Sequence, residues 1–114
     1  MAPKNNPLNL NPLQLRTLAL LQEIARIPGL SSPAPDGSGV TIMQIPSPHG
    51  DHFHLGDKVV ASRDATGLTN PAVWAALARK GLTQGNFPYR VTLTKAGLAY
   101  DVSLAGHILR GGDH

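Results

Sequence analysis

The sequence predicts one small α+β domain, and three observations predict it. A leucine and isoleucine stripe of helical period follows a capping signal near the start. Short β-branched or alternating segments occupy the middle. A second capped helix then leads into a turn, a strand and a last helical segment. With 114 residues the chain has room for a single domain. A chain of this size hides roughly two thirds of its unfolded surface, which is enough for one core without staples.

Residues 1–10 are rich in Asn and Pro and carry no apolar period, so they read as a mobile arm. Asn11 then fits an N-cap, with Pro12 at the first helical position and Gln14 at capping-box spacing. Leu13, Leu20, Leu21, Ile24 and Ile27 form one helical stripe, and Pro28-Gly29 ends it. Residues 28–39 are Pro, Gly and Ser rich and read as a flexible loop. Val40 to Ile45 is β-branched and stops at Pro46, which predicts a strand. From His52 to Leu55 the residues alternate, Phe53 and Leu55 on one side and His52 and His54 on the other. These two segments predict a hairpin around Ser47 to Asp51, while Lys58 to Asp64 suits either a strand extension or a short helix.

Thr69-Asn70-Pro71 repeats the cap-then-proline signal and opens a helix that Gly81 closes. Trp74, the single tryptophan, reads as a core anchor on it. A turn at Gly85-Asn86 and a strand from Tyr89 to Leu93 follow. Thr94 caps a last helix with Leu98, Val102, Ala105, Ile108 and Leu109 on one face. The domain therefore spans residues 11–110, and 111–114 form a tail. Apolar stripes on the first and last helices predict a homodimer.

Leu77-Ala78-Arg79-Lys80-Gly81-Leu82, a short hairpin, and then Val91-Thr92-Leu93-Thr94-Lys95-Ala96-Gly97-Leu98 form a recognisable series. Over roughly residues 67–105 it resembles winged-helix proteins of the general MarR/PadR type. Those families show a helix ending in L-x-x-K-G-L, a two-stranded wing, and L-T-x-x-G opening a C-terminal helix. The resemblance implies a winged-helix-like α+β fold, with a hairpin added in the N-terminal half and helices at both ends. It also implies DNA binding and a role in transcription regulation. In such a domain the helix Thr69–Lys80 would enter the major groove. Thr69 and Asn70 are its polar residues there, both suited to capping, and Ala, Val, Trp and Ala follow, which are poor base readers. The implied nucleic-acid contacts are Asn70, Lys80, Asn86, Arg90 and Lys95. Because a fold does not fix a function, a protein-interaction module without DNA affinity is the alternative.

The charge points the same way. The net charge is +3, and between residues 70 and 100 stand Arg79, Lys80, Arg90 and Lys95 with no acid. Such a stretch attracts polyanions. The absence of cysteine excludes disulfides and thiolate metal sites and predicts a reducing, cytoplasmic setting. The opening MAPKNNPLNLNPLQ lacks the basic start and apolar run of a secretory signal, and Leu18 to Leu21 is too short to span a bilayer. A soluble protein without membrane contact is expected.

One further cluster carries chemistry. His52 and His54 on one strand face, with His49 from the preceding turn, can share a cation; Asp51 or Asp57 can complete or orient the set. Imidazole and carboxylate without thiolate suit Zn, Ni, Cu or Fe, and zinc or nickel at this cluster is the sole cofactor the sequence suggests. The same imidazoles make a pH-responsive patch another alternative. No nucleophile, base and orienting group share a known motif, so an enzyme is not expected.

Overall fold

The computed structural model describes residues 6–45, 50–56, 58–86, 90–103 and 110–111. Along the chain run α1 (Pro12–Ile24), β1 (Ser31–Pro33), β2 (Gly39–Ile42), β3 (His52–Leu55) and β4 (Lys58–Ala61). Two 3-10 turns, Ser62–Asp64 and Thr66–Thr69, lead to α2 (Pro71–Arg79). Then come β5 (Thr83–Asn86), β6 (Arg90–Thr94), α3 (Lys95–Ala99) and β7 (Arg110–Gly111). The fold is α+β, as the sequence predicts.

α1 begins with a complete capping box. The Asn11 side chain accepts from the Gln14 N–H at 2.8 Å, and the Gln14 side chain accepts from the Asn11 N–H at 3.0 Å. Its buried face is Leu15, Leu18, Leu20, Leu21 and Ile24. Two antiparallel sheets pack with it, one in the order β1-β2-β6-β5 and one in the order β3-β4-β7. In the first, Val40 pairs with Leu93 and Ile42 with Val91, so these side chains share the inner face. Ser32, Thr41, Thr92 and Gln84 pair in one row on the outer face, where the Thr41 and Thr92 hydroxyls bond at 2.9 Å. The second sheet adds Phe53, Leu55 and Val60 to the same core as Ile42, Leu77 and Leu93.

Several expectations change. The segment Val40–Ile45 does not pair with His52–Leu55: β2 pairs with β1 and β6, and β3 pairs with β4. The cause is the stretch 28–39, which is a strand and a tight turn rather than a flexible loop. There the Gly37 N–H donates to Ala34, the Ser38 N–H donates to Asp36 Oδ1 at 3.0 Å, and Gly37 takes φ +75°. β4 resolves the open choice at residues 58–61 as strand, reached from β3 through Gly56 at φ +60°. Gly85 and Asn86 end β5 rather than form a turn, paired with Val91 and Arg90.

Residues 6–10 are docked, not a free arm. The Tyr100 hydroxyl donates to Asn6 Oδ1, the Leu8 N–H donates to the Tyr100 oxygen at 3.0 Å, and Leu10 is buried. Residues 1–5 lie outside the described residues. The helix that Thr94 caps, α3, is one short turn. Gln22 on α1 donates to the carbonyls of Gly97 (2.9 Å) and Tyr100 (3.0 Å), and Tyr100 leaves the helix in an extended conformation. Leu98, expected on a core face, is 37 % exposed. Ala105, Ile108 and Leu109 lie outside the described residues. Of the α1 stripe, one ground for expecting a homodimer, Leu20, Leu21 and Ile24 are buried within a single chain and Leu13 and Ile27 are partly buried.

Candidate functional site

The five residues singled out for nucleic acid fall at three places. Asn70 caps the start of α2, its Oδ1 accepting from the Ala72 N–H at 2.9 Å, so its side chain is engaged. Lys80 caps the other end and donates from Nζ to the Leu8 carbonyl at 2.7 Å, which ties it to the docked N-terminal segment. Lys95 is exposed at the start of α3. It is brought to the same end as Lys80 by Thr94, whose hydroxyl donates to the Gly81 carbonyl at 2.8 Å and whose N–H donates to the Leu82 carbonyl at 3.1 Å. Thr94 also caps α3 by accepting from the Gly97 N–H.

Arg90 is exposed and pairs in register with Asn86 at the far end of the β5–β6 hairpin. Four strand steps, roughly 13 Å, separate Arg90 from Thr94. Arg79, counted in the basic stretch but not among the five contacts, is exposed in the last turn of α2, next to Lys80. It stands in the helix's final turn, where the dipole favours cations. Among the described residues the exposed cations of this half that have no side-chain hydrogen bond or ion pair are therefore Arg79 and Lys95 at one end and Arg90 at the other.

Between α2 and β5 runs a groove of about 210 Å³ lined by Pro71, Ala75 and Ala78 on one side and Thr83, Gln84 and Gly85 on the other. Trp74 forms its floor with Val91. Trp74 is 7 % exposed and donates from Nε1 to the Leu68 carbonyl at 3.1 Å, which supports its reading as an anchor.

The histidine face behaves as its alternation requires. Phe53 and Leu55 are buried, His54 is exposed and His52 is half-buried. The two imidazoles meet edge to face with centroids 5.2 Å apart. Nδ1 of His52 lies 3.2 Å from Oδ1 of Asp51. That hydrogen bond is the main reason the Asp51 carboxyl titrates below the ordinary range. Among the described residues no three His, Asp or Glu side chains gather closely enough to hold a metal ion. His49 and Asp57 lie outside the described residues. Among the described residues, too, no helix is long and apolar enough to cross a membrane. No protein-family model, no curated protein and no solved structure matches this chain.

Proposed function

We propose that this chain is a winged-helix-like module that binds nucleic acid through α2, the β5–β6 hairpin and the start of α3. One observation carries the reading. The second strand after α1, β2, inserts beside β6, so that β1-β2-β6-β5 form a sheet ending in the β5–β6 hairpin, with α2 immediately before that hairpin. On that unit stand Arg79, Arg90 and Lys95, all exposed, in a stretch without acids. Two features fit such a module less directly. The 3-10 turns Ser62–Asp64 and Thr66–Thr69 occupy the place of a second full helix, and the β3–β4 hairpin is an addition.

The test is binding of a fluorescently labelled DNA duplex, followed by anisotropy over a range of salt. Three phosphate contacts predict a log–log slope of about −3, since each contact contributes about −0.9. Replacing Arg79, Arg90 or Lys95 by Ala should flatten that slope by about one unit each. Absence of binding at low salt sinks the proposal.

A second reading, zinc or nickel binding on β3, is favoured by the adjacency of His52 and His54. Calorimetric titration of zinc should then saturate at one ion per chain, weaken on acidification and vanish in the His52→Ala, His54→Ala double variant. Unsaturable heats in the unaltered protein dispose of it.

A further inference from the structure

Resting on the nucleic-acid reading above, we infer that the interface takes duplex DNA of any sequence: it grips the backbone and reads no base. Base edges in the major groove are distinguished by side chains that offer paired donors or acceptors, chiefly Arg, Lys, Asn and Gln. Which side chains of α2 can reach a duplex is settled by burial. Val73, Trp74, Ala76 and Leu77 are in the core. Pro71, Ala72, Ala75, Ala78 and Arg79 are exposed. All of these but Arg79 end in hydrocarbon.

The start of α2, the part of a groove-inserted helix that meets base edges, is closed as well. Pro71 has no N–H. The Ala72 N–H is taken by the Asn70 side chain, and the Val73 N–H donates to the Asn70 carbonyl at 3.1 Å. Among the described residues the N-terminus therefore has no spare N–H for a phosphate, and its two polar side chains are turned to the backbone, Asn70 through Oδ1 as cap and Thr69 by donating its hydroxyl to the Thr66 carbonyl at 3.3 Å. Arg79 stands at the opposite end of α2, about 13 Å along the axis. Gln84, which borders the groove along β5, belongs by strand alternation to the outer row of the sheet with Thr92 and Thr41, opposite the face that carries Leu93 and Val91.

What remains is a surface of methyl groups framed by cations. Small side chains let a backbone approach closely, and Arg79, Arg90 and Lys95 supply charge at its two ends. Phosphate contacts of this kind position a duplex and carry no sequence information. An arginine at a hairpin tip is drawn to a narrow minor groove, where the base pattern is degenerate.

The experiment measures the full chain against a set of duplexes of equal length and shuffled sequence, and against a randomised duplex pool carried through rounds of selection. Dissociation constants within about threefold of one another, and a selected pool without a common motif, are expected. A protein that reads bases loses about tenfold or more for each mismatched pair. A recurring motif, or a preference above about tenfold among the shuffled duplexes, overturns the inference while leaving nucleic-acid binding intact. Failure to bind every duplex at low salt overturns the parent reading instead. A gain-of-reading variant separates the two further: Ala72→Asn or Ala75→Arg should create a sequence preference where none existed, because each places a donor on the exposed face of α2.

Discussion

At Gly67 an added Cβ would lie 1.9 Å from Oγ1 of Thr17 and 3.1 Å from its Cβ. Thr17 is fully buried on α1 and donates its hydroxyl to the Leu13 carbonyl at 2.8 Å, so it has little room to yield. Gly67→Ala should therefore destabilise the protein by about 1–3 kcal/mol, the usual cost of overpacking. Thr17→Ala in the same chain should recover part of that loss, and urea unfolding of the double variant measures the coupling. Additive losses would show that the contact does not set the approach of the 3-10 turn to α1. A second residue-level effect concerns acid. The Ser38 hydroxyl, and after it the Ser38 N–H, hold the exposed Asp36 carboxyl below its ordinary range. Its contribution to the β1–β2 turn is complete above the unfolded carboxyl value, about 3.9, and is lost as pH falls through the lower folded value. A carboxyl-carbon NMR titration should place the Asp36 midpoint below that of an unstructured peptide, and Ser38→Ala should bring it back up.

The elements show which interactions a sequence displays and which it hides. Asn11, Asn70 and Thr94 all cap the helices they were expected to cap, because capping joins groups two or three residues apart. The alternation of Phe53 and Leu55 against His52 and His54 is legible for the same reason. Strand pairing is not local. Thr41 meets Thr92 across half the chain, and nothing near residue 41 announces that partner. The end of α3 is decided at a distance too, since Gln22 on α1 satisfies the carbonyls that a longer helix would have used. The same limit applies to the candidate interface. A basic stretch is visible in composition, yet only the fold shows that Lys80 is committed to Leu8 while Arg79 is free to project. Tyr100 is the hub of these distant contacts, through Asn6 and Leu8. Tyr100→Phe removes both bonds, each worth about 0.5–1.5 kcal/mol. The Leu8 and Leu10 amides should then exchange hydrogen faster, with little change at Leu18 or Leu21 in the middle of α1. Unchanged exchange at Leu8 would mean that Lys80 alone holds the segment.

For the whole molecule the question is whether two sheets make one folding unit or two. The Cα radius of gyration is 13.4 Å, against about 13 Å for a single folded unit of this length. One continuous apolar cluster joins α1, Ile42 and Leu93 of the first sheet, Phe53, Leu55 and Val60 of the second, and Trp74 and Leu77 of α2. Neither sheet has a core of its own, so the two should unfold together. Trp74 makes this measurable. It is the only tryptophan, it is held between α2 and the first sheet, and its fluorescence reports on that region alone. Far-ultraviolet circular dichroism reports on the whole backbone. The two signals should trace the same urea transition with the same midpoint. Leu55→Ala sharpens the test, because Leu55 is 1 % exposed on β3 of the other sheet. Its loss should cost about 2–5 kcal/mol. If the core is shared, that cost moves the Trp74 transition as far as it moves the dichroism. A variant in which dichroism falls early while Trp74 keeps its original midpoint would divide the molecule into two units, with the β3–β4 hairpin an appendage on an independently stable half built on the first sheet.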